Sequence, residues 1–143
     1  MHKRWLQTEL LFFLSSVLLT FAFSGCSISG SVIDRARYET SLTGIRLDHP
    51  STLDVYYGGV HRSIPLKDIS MVEIYSSHST VINNELCYGA EITLKNGTRI
   101  QTNEKDPTDN THLFISVHNS IVARNGCDLF RIGLDNVTRI NIK

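Results

Sequence analysis

From Thr52 onward, apolar residues recur at every second position in short runs, and glycine-containing pairs punctuate those runs. Leu53, Val55 and Tyr57 alternate with Asp54 and Tyr56, and Gly58-Gly59 then reverses the chain. A two-residue Gly-Gly link between alternating runs predicts a β-hairpin. It sets Tyr57 opposite Val60, Val55 opposite Arg62 and Leu53 opposite Ile64, which gathers mostly apolar residues on one face. Leu86, Tyr88, Ala90, Ile92 and Leu94 repeat the alternation ahead of Asn96-Gly97. A two-residue turn there would send Ile100 to the wrong face. A three-residue loop, Lys95-Asn96-Gly97, opposes Leu94 to Thr98 and Ile92 to Ile100, with Gly97 in the left-handed conformation of a bulge. Leu113 to Val117, Ile121 to Arg124, Leu129 to Ile132 and Thr138 to Ile142 continue the strand pattern. No segment beyond residue 26 sustains a 3.6-residue apolar period. The expectation is an all-β fold, a small antiparallel sandwich or barrel.

One stretch of this pattern occurs twice. Ile64-Pro65-Leu66-Lys67-Asp68-Ile69-Ser70-Met71-Val72-Glu73-Ile74 matches Ile132-Gly133-Leu134-Asp135-Asn136-Val137-Thr138-Arg139-Ile140-Asn141-Ile142 at a constant offset of 68 residues. A Gly-containing turn and a short strand precede each copy. In both, a Leu and an Ile or Val bracket a polar corner and dock it on the core, while Pro or Gly ends the preceding ladder. Two copies imply two similar halves rather than a solenoid. Convergence of short β corners on one pattern is the other reading.

The first 26 residues are of another kind. Lys3 and Arg4 open the chain, and Leu10 to Phe23 is apolar except for Ser15, Ser16 and Thr20. A basic start and a short apolar run are the parts of a secretory signal peptide. The run falls short of the ~20 apolar residues of a spanning helix. Ser24-Gly25-Cys26 then resembles the lipobox of bacterial lipoproteins, although Phe23 stands where that family usually has Leu or another aliphatic residue. The resemblance implies cleavage before Cys26, lipid on its thiol, and acylation of the new amino terminus. Several acyl chains make a firm anchor where one is marginal. Ser27, a non-aspartate after the cysteine, implies sorting to the outer membrane in enterobacterial relatives. A retained single span and a plain secretory peptide are the alternatives. The organisation expected is a signal peptide over 1–25, a tether and unassigned segment over 26–50, and a β domain over 51–143. Ser27, Ser29, Gly30 and Ser31 read as flexible tether, and Val32 to Tyr38 fits a first strand or a short helix.

Losing Lys3, Arg4 and Glu9 from the balanced 14 basic and 14 acidic residues leaves the mature chain near −1. It has no basic face of the kind that marks a nucleic-acid binder, so no nucleic-acid partner is expected. With Cys26 taken by lipid, Cys87 and Cys127 remain as an even pair in an exported, oxidising setting. That predicts a disulfide, closing a loop of about 40 residues worth ~4 kcal/mol in the chain-entropy model. Two buried free thiols are the alternative.

Chemistry-bearing motifs are few. His49, His61, His78, His112 and His118 form no metal-binding spacing, and no cysteine sits in a Cys-x-x-Cys pair. No nucleophile elbow, phosphate loop or dinucleotide fingerprint occurs. Asp106, Asp109 and Asn110 read as a solvated loop rather than a calcium loop. Tyr56, Tyr57, Tyr75 and Tyr88 fall in the strand region as core-edge residues or a binding platform. The expectation is a non-enzymatic envelope protein, held in the membrane by lipid on Cys26, without cofactor or metal, serving protein–protein interaction or envelope assembly with another envelope protein as its partner. A binding module for a small envelope ligand such as a glycan or lipid is the second reading, and a small hydrolase the third.

Overall fold

A computed structural model describes residues 27–48, 52–101 and 113–143. Eleven strands make up most of it: β1 Ser29–Asp34, β2 Glu39–Leu47, β3 Thr52–Tyr57, β4 Val60–Pro65, β5 Ile69–Ile82, β6 Glu85–Leu94, β7 Arg99–Gln101, β8 Leu113–Ser116, β9 Ser120–Asn125, β10 Asp128–Gly133 and β11 Val137–Ile142. They form one curled antiparallel sheet, a half-barrel, in the order β10-β9-β2-β1-β11-β5-β6-β8-β3-β4, with β7 beside β6. Among the described residues there is no α-helix. The all-β expectation holds.

Turn chemistry set the local registers as expected. Leu53 pairs with Ile64, Val55 with Arg62 and Tyr57 with Val60. Ile92 pairs with Ile100, the Leu94 amide donates to the Thr98 carbonyl at 2.8 Å, and Gly97 has φ +86°. The core collects the inward positions of every long strand. Val32, Leu53, Val55, Ile69, Val72, Ile92, Leu113, Ile115, Ile121 and Ile140 are all essentially inaccessible to solvent.

The repeated stretch adopts one conformation twice. Pro65 (φ −63°, ψ 135°) and Gly133 (φ −67°, ψ 141°) each lead into a single 3-10 turn, Leu66–Asp68 and Leu134–Asn136. Ile69 and Val137 leave those turns at near-identical angles, each donating its amide to the Leu carbonyl. Leu66 and Leu134 are both buried. The two copies then meet: Met71 pairs with Asn141, Val72 with Ile140 and Glu73 with Arg139. Val72 and Ile140 are equivalent positions, so a pseudo-twofold axis passes between them.

This axis relates β4-β3-β8-β6-β5 to β10-β9-β2-β1-β11. In chain order, the first repeat supplies β1 to β5 and the second β6 to β11. Each half-sheet therefore takes two strands from one repeat and three from the other. β1 and β2 of the first repeat and β6 to β8 of the second have crossed over.

Two expectations are corrected here. Ser29, Gly30 and Ser31 are not tether but the start of β1; of the two readings of Val32 to Tyr38 the strand holds as far as Asp34, and the unassigned residues beyond form β2, the two strands pairing with each other and with β11 and β9. The small residues that suggested flexibility serve close approach: a Cβ on Gly30 would lie 1.9 Å from the Asn141 carbonyl oxygen. Ser31 donates to Glu39 Oε1 at 2.6 Å and accepts from Asn141 Nδ2 at 3.2 Å. The expected Cys87–Cys127 bridge is also absent, and both thiols are free. Cys87 is buried on β6, while Cys127 is exposed at the tip of the β9–β10 hairpin, and four strands separate β6 from β9.

Candidate functional site

Where β11 parts from β5, a cleft of about 730 Å³ opens. The β5–β11 ladder covers only Met71 to Glu73. Beyond it, β11 is bulged against β1 between Ile33 and Asp34, and β5 runs on alone on that side. Arg35 and Arg37 from the β1–β2 turn, Arg139 and Thr138 from β11, and Glu73 and Tyr75 from β5 line the space. Three arginines and one carboxylate thus line it.

Each arginine is held differently. Arg35 Nη2 donates to the Tyr88 hydroxyl at 3.0 Å, with its guanidinium carbon 5.5 Å from the ring centroid, a cation–π placement. Arg139 pairs with Glu73, its opposite neighbour in the ladder. That hydrogen bond and the carboxylate's charge push the Arg139 pKa above its already high ordinary value, so it is a fixed positive charge. Arg37 has no ion-pair partner among the described residues and a left-handed backbone, φ +68°.

The conformation of Arg37 has a counterpart across the pseudo-axis. The Asp34 amide donates to Tyr38 O at 3.1 Å and the Arg37 amide to Asp34 O at 3.0 Å. In the β6–β7 turn, Leu94 donates to Thr98 O at 2.8 Å and Gly97 to Leu94 O at 2.9 Å. These are the same three-residue turn. Glycine holds the left-handed position in one copy, as steric rules favour, and arginine in the other. A left-handed L-residue costs on the order of 1 kcal/mol. The strain falls on a side chain that lines the cleft.

A second polar cluster sits at the β6–β8 end. Ser116, 2 % exposed, donates to Glu85 Oε2 at 2.8 Å and also contacts His118 Nδ1. His118 Nδ1 lies 3.5 Å from Glu85 Oε2. Serine, histidine and glutamate are thus together, but not as a relay. The serine hydroxyl donates to the carboxylate, and serine and carboxylate share one imidazole nitrogen. In a hydrolytic triad they occupy opposite nitrogens.

The residues singled out in the sequence are dispersed. Cys26, His49, His112, Asp106, Asp109 and Asn110 lie outside the described residues. The tyrosines form no single platform. Tyr56 is buried against His61 with ring centroids 5.2 Å apart, Tyr88 is buried under Arg35, and Tyr75 lines the cleft. Burial pushes the Cys87 thiol pKa up, partly offset by a backbone hydrogen bond, so it is an inert protonated thiol near neutral pH. Among the described residues no His, Cys, Asp and Glu group is disposed to hold a metal. The arginine cleft went unread in the sequence. Its one local sign was Arg35-Ala36-Arg37 beside Tyr38 at a hairpin turn.

Comparison with protein-family models, curated proteins and solved structures finds no match to this chain.

Proposed function

We propose that this chain is a lipid-anchored envelope protein of the bacterial outer membrane whose β-sheet head works by docking another envelope protein rather than by catalysis. The lipobox-like Ser24-Gly25-Cys26 supports the anchor. The observation that carries the docking role is the placement of the arginine cleft relative to that anchor. β1 begins at Ser29, three residues after Cys26, a reach of about 10 Å. A lipid on Cys26 therefore holds the head against the bilayer rather than on a long leash. The cleft opens at the other end of β1, about 17 Å further along six extended residues. A site so placed lies at the end of β1 far from the proposed lipid. Arginine and tyrosine, the residues gathered there, are also those enriched in protein interfaces.

Metabolic labelling with an alkyne palmitate tests the anchor. The wild type takes up label and floats with membranes, and Cys26→Ala does neither; equal labelling of both removes the anchor. Crosslinking from Tyr38 in native membranes, read by mass spectrometry, tests docking. Recovery of one recurrent protein supports it, and its absence leaves a small-ligand module. The cleft's volume favours that second reading, since it falls within the range of small-molecule sites.

A further inference from the structure

We infer that the arginine cleft and the adjoining edge of β5 together form the docking site for an extended, acidic peptide segment of a partner protein. This deepens the docking reading and rests on it only for the occupant being a protein.

Two independent observations converge. The first is charge. Arg35, Arg37 and Arg139 line the cleft with Glu73 as the one carboxylate of that lining, a formal excess of two positive charges, and outside the lining Glu39 also acts on Arg139. Arg37 holds a left-handed position that its pseudo-symmetric counterpart fills with glycine. Nothing in the fold requires a side chain there, so its use lies outside the fold. Guanidinium forks match carboxylates two bonds at a time.

The second is the backbone. β5 continues to Ile82, while its ladder with β11 ends at Glu73. Among the described residues no strand pairs with residues 77–82 on that side. Exposed edges normally carry lysine, proline or other charges that discourage pairing. Here the sequence is Ser77-His78-Ser79-Thr80-Val81-Ile82, without acid, lysine or proline, and Val81 is 68 % exposed. The register of β5 against β6 shifts between Tyr75 and Ser79, so the regular edge runs from Ser79 to Ile82 and joins the cleft lining at Ser76 through that irregularity. A peptide added to it gains main-chain hydrogen bonds from the edge, and side chains at every second position point one way, so acidic residues spaced by two reach the arginines.

The test uses the full-length protein in non-ionic detergent and a fluorescein-labelled peptide of three Glu-Thr repeats, followed by fluorescence anisotropy. The wild type should bind it, and added salt should weaken binding. Arg37→Gly should bind at least tenfold more weakly while its thermal midpoint stays level or rises, because glycine relieves the left-handed strain. Arg62→Ala, which removes a like charge from β4, should bind within twofold of wild type. Unaltered affinity in Arg37→Gly, or no wild-type binding at low salt, overturns the site. Citrate binding as tightly as the peptide and displacing it overturns the peptide and assigns the cleft to a small acid. An equally tight peptide N-methylated at every residue removes the β5 edge. None of these outcomes depends on palmitate labelling, so failure of the anchor and failure of the site are separately visible.

Discussion

A methyl group added at Gly30 would stand 1.9 Å from the Asn141 carbonyl oxygen, so Gly30→Ala must push β1 away from β11. Overpacking of this kind costs about 1–3 kcal/mol, and a urea titration should show a correspondingly lower midpoint. Leu134, fully buried in its 3-10 turn, probes the opposite error. Leu134→Ala leaves a cavity and should cost about 2–5 kcal/mol in the same titration. The two thiols are separable by chemistry. Exposed Cys127 should react with a thiol reagent within minutes in the native protein, and buried Cys87 only after unfolding. Failure of both to react before reduction would restore the bridge. Burial raises the Cys87 pKa, so the unfolded thiol ionises first. The native state retains its proton as pH passes the ordinary thiol value of about 8.5. Stability from this group is therefore complete below that pH and falls as pH climbs through the raised value; Cys87→Ser should flatten that alkaline slope.

At the scale of elements, the paired turns offer an internal comparison. Gly97→Ala places a Cβ at φ +86° and should cost about 1 kcal/mol, read as a lowered thermal midpoint. The equivalent change in the other copy, Arg37→Gly, runs the opposite way. Much of this level was legible beforehand. Gly58-Gly59 and Lys95-Asn96-Gly97 dictate register because few backbone paths close a hairpin of given length, and apolar alternation then selects among them. The repeated Leu corner was legible because both copies bury the same side chains. Strands β1 and β2 were not. Gly30 and Ser31 owe their identity largely to Asn141, and closeness in space between residues over a hundred positions apart leaves no local trace. The cysteine inference failed for the same reason: parity counts thiols but does not place them. The arginine cleft draws residues from β1, β5 and β11, so only Arg35-Ala36-Arg37 could have hinted at it.

The exchange of strands between repeats governs the whole molecule. Neither repeat can complete a half-sheet with its own strands, so neither should fold alone. Cleavage at a protease site inserted between Asn83 and Asn84, the turn linking β5 to β6, leaves residues 1–83 and 84–143 held by the β1–β11, β2–β9, β3–β8 and β5–β6 ladders. The nicked protein should elute as one species. After separation in denaturant each fragment alone should lack β-sheet circular dichroism, and mixing should restore it. Two fragments that fold independently would contradict the exchange.

β1 also sets how the head would carry load. The proposed lipid enters at its first residue and the proposed partner grips just past its last, so tension between membrane and partner runs along the strand axis. β1 is bonded on both flanks, to β2 and to β11. Load that reaches the partner at the β5 edge passes from β1 through β11, and so shears the β1–β11 and β5–β11 ladders lengthwise instead of peeling one rung after another. A head built this way would yield to traction only through the rupture of many bonds at once.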